Sequence, residues 1–511
     1  MKKVTALVVV LAMLFAACGG GGGGTALDQA ATSPTPANNA SGGDAASSGD
    51  LEPYELVYFM LTNSVASNEL PVVTEAINEI TREKFNATVN ISMIPWGDWH
   101  TVVTTTLGAG EQVDILFTAD WYEYMQGIAA NYFLPLNDLM QQHAPQVLSQ
   151  LGNVFVTGSQ VNGINYGVPT DKELAVNGGF LWNQNLVDKY GFEPDPNWKS
   201  YADWEPYLEI IKQNEPDIVP LLTDGNHYHI DMITYLPLNT GWAVQGSDPT
   251  INYRYEMDMY VKELHVMRDL FQKGYIPRDA ILDETAWYNQ HLSMGNFFLT
   301  TQPLKPGKGK STELMSAAIN PDIVYDEFET YPLLVNTTHC GGSMLAIGST
   351  SRDPARAMMF INEMHTNPDM VNLLVWGVEG VTYTVVDTDP TLVLPIDGNQ
   401  WTSAVLGWTL GNVFLTHLAE YEPRDKYDLL AATKVGIPGH LANGYRFDPT
   451  DWLDTIAAVT NSVEEFSRPI RVGAVDTDEG ISNLLAAAES AGYRPYLEAV
   501  RADFAAWLAD Q

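Results

Sequence analysis

Between Glu55 and Thr118 the apolar pattern changes period four times, and no other feature constrains the fold of this chain as much. Glu55–Met60 reads as a short buried strand. Pro71 suits the first turn of a helix that places Val73, Ile77, Ile80 and the stem of Lys84 on one face. Thr88–Ile94 alternates, with Val89, Ile91 and Met93 on one side, which is a strand period. Asp98 is a good cap for a helix reaching Leu107, which Gly108 and Gly110 end, and Val113–Thr118 is a second buried strand. Strand, helix, strand, helix, strand at this spacing predicts a βαβαβ unit on a parallel sheet, hence an α/β fold. In such sheets ligands bind beyond the carboxyl ends of the strands. That makes Leu61–Val65 and Thr118–Tyr124 candidate ligand loops, with Asn63 and Ser64 on the first and Asp120 and Trp121 on the second.

The chain before this unit reads as a leader and tether. Lys2 and Lys3 precede an apolar run, Val4–Phe15, and the small residues Ala16-Ala17 precede Cys18. Charge, short apolar core and small residues form the secretory pattern, and the run is too short to span a bilayer, which takes about 20 residues. Phe15-Ala16-Ala17-Cys18 resembles the lipobox of bacterial lipoproteins, with Phe15 where that family prefers Leu. The resemblance implies removal of residues 1–17 and acylation of Cys18. Residues 18–50 then begin with six glycines and continue in Ala, Ser, Thr, Pro and Asn. Such a composition cannot bury enough apolar surface to order itself. As a coil of about 32 residues it spans roughly 30 Å, a tether between a membrane surface and a globular body.

That body, from Leu51 to Gln511, is too long for one core, so two or more lobes are expected. The chain holds 63 Asp and Glu against 26 Lys and Arg, a formal charge of -37. This balance disfavours nucleic acid and anionic headgroups as partners. With Cys18 acylated, Cys340 has no disulfide partner.

Further along, short segments recur in a telling order. Glu111-Gln112-Val113-Asp114-Ile115, Phe133-Leu134-Pro135-Leu136, Val161-Asn162-Gly163-Ile164-Asn165-Tyr166-Gly167-Val168-Pro169 and Leu181-Trp182-Asn183 together resemble the first lobe and first crossover of bacterial extracellular solute-binding proteins of sugar importers. Ser351–Tyr383, ending Trp376-Gly377-Val378-Glu379-Gly380-Val381-Thr382-Tyr383, resembles a signature of a lipoprotein subset with an extra C-terminal region. Gly411-Asn412, Gly444–Asp448 and Gly473–Asp478 resemble its later markers. The resemblance implies a two-lobed periplasmic-binding-protein fold with hinge crossovers. It further implies a first lobe of residues 51–170 and 294–342, the strand Met294–Thr301 returning to it, and a second lobe of residues 171–293 and 343–511. It implies a monomeric receptor, anchored on the outer face of the cytoplasmic membrane, that captures a sugar or oligosaccharide and delivers it to ABC permease subunits without catalysis.

A carbohydrate site needs flat aromatic faces for the C–H side of the rings and polar groups for the hydroxyls. Trp121 with Asp120 leads on position. Trp242, Trp287 and Trp376 are further platforms, and Glu379 and Tyr383 lie in the signature turn. No cofactor or metal is expected. Gly309-Lys310-Ser311 lacks the first glycine of a P-loop, and no Gly-x-Ser-x-Gly elbow or His-Glu-x-x-His helix occurs. His227-Tyr228-His229-Ile230-Asp231 has metal-compatible spacing but no third histidine or Cys cluster nearby. A surface glycosidase built on an Asp/Glu pair, or a peptide receptor of the same fold, are the alternatives.

Overall fold

Three parallel strands set the frame. In the computed structural model β1 (Tyr54–Thr62), α1 (Leu70–Phe85), β2 (Ala87–Pro95), α2 (Trp96–Gly108) and β3 (Ile115–Thr118) form the expected βαβαβ unit. Both β2 and β3 pair parallel with β1, giving the order β2-β1-β3. The structure describes residues 51–62, 67–230, 233–234, 242–244, 248–281, 284–316, 319–396, 398–399, 401 and 407–510. Helix α1 buries Val73, Ile77, Thr81 and Phe85 against the sheet and ends at Asn86, whose φ of 50° turns the chain into β2. Its buried Asn78 side chain accepts from Val89 N at 2.7 Å, locking helix to strand. Helix α2 starts at Trp96, after Pro95, so Asp98 lies in the first turn, where a carboxylate favours the dipole, and not at the cap.

From this unit the chain reaches β4 (Val168–Pro169) and crosses to a second sheet through residues 170–176. There β5 (Asn177–Asn183), β6 (Val219–Leu221), β7 (Phe297–Leu304) and β8 (Tyr325–Glu329) stand in the order β8-β5-β7-β6, and α3 (Asp258–Gln272) lies between β6 and β7 in the chain. A second crossover, residues 330–343, returns to the first sheet as β9 (Met344–Ile347), antiparallel to both β3 and β4. The helices α4 (Pro354–Thr366) and α5 (Pro368–Val375) then cover the first sheet.

Two expected boundaries are corrected by this topology. Residues 297–304 do not return to the first lobe; they pair antiparallel with β5 and parallel with β6. Phe297, Phe298 and Leu299 are all fully buried, as in a central strand covered on both faces. The return comes at β9, so residues from 344 to about 419 pack into the first lobe's core, not the second's.

The last part is helical: α6 (Leu453–Arg471), α7 (Thr477–Ser490) and α8 (Tyr493–Ala509). One apolar cluster joins Phe117 of β3, Leu264 of α3, Leu484 of α7 and Val500 of α8. The C-terminal helices therefore rest on both lobes. No helix among the described residues is long and apolar enough to cross a membrane.

Candidate ligand-binding cleft

A cleft of about 950 Å³ opens where the two lobes and α6 meet. Trp121 stands on one wall. It follows β3 in a loop turned tightly by Ala119 N donating to Tyr122 O at 2.9 Å and by Glu123 at a φ of 65°. The indole N–H donates to Gly342 O at 2.8 Å, which fixes the ring's orientation. Trp96, Tyr122 and Trp408 surround it at ring-centre distances of 5.7, 5.5 and 6.3 Å. The residue is still 39 % exposed, so part of its apolar surface is held toward solvent.

The opposite wall is polar and largely aromatic. His227 and Tyr255 line it, both buried, and among the described residues neither His227 ring nitrogen nor the Tyr255 hydroxyl has a hydrogen-bond partner. Burial first, then the neighbouring His229, pushes His227 down to about 3. Its ring is therefore neutral at ordinary pH and offers one donor and one acceptor. His229 is engaged elsewhere, on Glu263 at 3.0 Å.

Charged groups sit at the crossovers. Lys172 Nζ and Lys305 Nζ approach the same oxygen of Glu173, at 3.0 and 3.2 Å. Although burial opposes it, these ammonium groups hold Glu173 ionised, down at about 2. Lys308 lines the cleft beside them.

Of the residues singled out from sequence as ligand-binding, Trp121 lines this cleft and the others described do not; His227, Tyr228 and Ile230, weighed there only for a metal, line it too. Asp120 points inward to Arg446, which grips both carboxylate oxygens, Nη2 to Oδ2 at 2.8 Å, and also donates to Gly158 O at 2.8 Å. Although burial opposes the charge, Asp120 holds the Arg446 guanidinium above its ordinary range. Trp287 is buried in the second lobe's core. Trp376 and Tyr383 are buried in the first lobe's core, and the Trp376 indole donates to His417 O at 3.1 Å. Glu379 is exposed in the turn before Tyr383. Asn63 and Ser64 lie outside the described residues, and of Trp242 only the backbone, in a short strand, is described. Among the described residues no group of three or more His, Cys, Asp or Glu is placed to hold a metal ion.

Sequence reasoning missed His227 and Tyr255 as wall residues, and Trp408, Lys305 and Lys308. One signal was present for the lysines: Lys305, Lys308 and Lys310 crowd six residues of a chain poor in basic residues.

Residues 70–262 match the family model described as bacterial extracellular solute-binding protein, and residues 441–509 match a domain of unknown function, DUF3502. A carbohydrate ABC transporter substrate-binding protein of Streptococcus pneumoniae serotype 4 is 25% identical over 419 residues, 81% of this chain and 83% of that protein. A crystal structure of the N-glycan transport solute binding protein NgtS of Streptococcus pneumoniae in complex with Man1GlcNAc superposes with a TM-score of 0.76 at 22% identity, covering 89% of this chain and 100% of that one. The S. pneumoniae substrate binding protein FusA in complex with kestose gives 0.59 at 16% identity, covering 89% and 100%. The chain is thus similar over residues 70–262 to the bacterial extracellular solute-binding proteins, and over residues 441–509 to the domain DUF3502.

Proposed function

We propose that this protein captures a sugar or oligosaccharide outside the cell and presents it to the permease of an ABC importer. The observation that carries the reading is Trp121: an indole held by Gly342 O, its face open to a cleft that both lobes wall. A pyranose ring lays its C–H face on such a surface, and its hydroxyls pair with the neutral His227 ring and the Tyr255 hydroxyl once lobe movement opens those buried atoms to the cleft. Both groups are then satisfied, which offsets the cost of burying them unpaired. Bending at residues 170–176 and 330–343 brings the lobes together on the ligand. The carbohydrate-transport relative and the fold shared with NgtS support the same reading. The sequence of residues 1–50 supports acylation at Cys18 and a tethered body on the outer membrane face.

The test is a thermal-shift and tryptophan-fluorescence screen of the protein against mono- and oligosaccharides and short peptides. A sugar at 100 times its dissociation constant should add about 2.7 kcal/mol of stability and perturb the Trp96–Trp121–Trp408 emission. Shifts with peptides alone would overturn the sugar, and consumption of the sugar would overturn the receptor.

A further inference from the structure

Charge is distributed against the trend of the molecule. Among the described residues, five cations line the cleft: Lys172, Arg254, Lys305, Lys308 and Arg471. Two carboxylates line it, Glu173 and the exposed Glu464. Across the whole chain acids exceed bases 63 to 26, so the cleft inverts the ratio. Near the crossovers the imbalance is local. Glu173 is one charge shared by Lys172 and Lys305, and Lys308 forms no ion pair among the described residues. His339, beside them, is held neutral at about 3 by burial and by Lys172, so it adds no further positive charge. Burial and then Lys305 push Lys308 down to about 8, and Glu327 and Glu173, which act the other way, only partly offset them. Lys172, Lys305 and Lys308 against Glu173 and Glu327 leave an excess of positive charge in a buried wall, which costs free energy, and a neutral sugar brings no anion to offset it.

We infer that the cleft takes a carbohydrate bearing an anionic group, a uronate carboxylate, a sulfate or a phosphate, with that group seated at Lys305 and Lys308. The inference rests on the sugar-binding reading above and narrows its substrate class. The sugar ring stacks on Trp121, while the anion supplies the charge that Glu173 and Glu327 together do not. An ammonium pair meets any of the three anions as point charges, so their shared chemistry is what the site reads.

The experiment is calorimetric titration of the whole protein with matched pairs: oligogalacturonates against neutral galacto-oligosaccharides, sulfated against unsulfated galactose disaccharides, and phosphorylated against plain mannose. We expect one acidic class to bind at least about tenfold tighter than its neutral partner, a gap of about 1.4 kcal/mol. That preference should narrow about tenfold in Lys308→Gln and again in Lys305→Gln. It should also weaken with added salt. The class that wins names the anion. Neutral members binding as tightly as their acidic partners would overturn the inference and leave the sugar receptor standing. Binding of peptides with no sugar of either kind would overturn both.

Discussion

Asp120 and Trp121 are neighbours in the chain with opposite roles, and single substitutions separate them. Trp121→Ala removes a ring that is partly in solvent, so stability should fall by less than the about 3–5 kcal/mol of a fully buried Trp, while sugar affinity falls about tenfold or more, read by titration. Asp120→Ala strands the Arg446 guanidinium in a buried site, which typically costs about 3–5 kcal/mol. Urea unfolding should show that loss. Both residues were readable as lying on a strand-end loop, because the strand before them is written in its apolar run. Which of the two faces the ligand was not readable. The deciding partner, Arg446, lies 326 residues away, and a local pattern carries no information about a contact at that distance. The same holds for Glu173, whose second lysine comes from 132 residues downstream.

The crossovers show how elements limit one another. Residues 408–440 brace them from behind: Asp171 N donates to Gly411 O at 2.8 Å and Val413 N to Asp171 O at 2.9 Å. Leu174 N reaches Thr433 Oγ1 at 3.2 Å, and the second crossover is held by His440 N donating to Val335 O at 2.7 Å. Gly411 is required there, since its φ is 113° and a Cβ would meet Met364 O at 2.2 Å. The Lys434 ammonium closes the brace on the buried Asp171 carboxylate. Lys434→Met leaves that carboxylate unpaired and should lower unfolding stability by about 1–3 kcal/mol. Stopped-flow release should be faster in this variant, because the crossovers lose their backing. The parallel unit was legible from period alone, strand by strand. The return to the first lobe was not, because Phe297–Leu304 and Met344–Ile347 are both short buried runs, and only pairing decides which sheet each joins.

For the molecule as a whole, acid is the weak direction. Burial holds His227, His339 and His365 down at about 3 in the folded protein, against an ordinary value of 6.5. The unfolded chain takes up protons at these groups between those values and the folded one does not. Their contribution is therefore complete above pH 6.5 and is lost as pH falls toward 3. Each adds up to about 1.4 kcal/mol per pH unit. Glu173, held down at about 2 against 4.5, adds a further loss below pH 4.5. Thermal midpoints measured from pH 7 to 4 should fall steeply. His365→Gln removes one of the three histidines and should flatten that slope without touching the cleft.

A basic cleft set in a chain of charge -37 has a kinetic corollary. To an approaching anion the molecule is a repulsive shell with an attractive mouth, and at physiological ionic strength each field extends only about 8 Å. Salt then works in opposite senses on the two halves of a binding cycle. Screening the shell quickens arrival, while screening the mouth quickens escape. Residence time, not encounter, becomes the quantity that ionic strength degrades. An acidic cargo would thus be found readily in a saline medium and let go more easily there, which suits a carrier that must hand its load on.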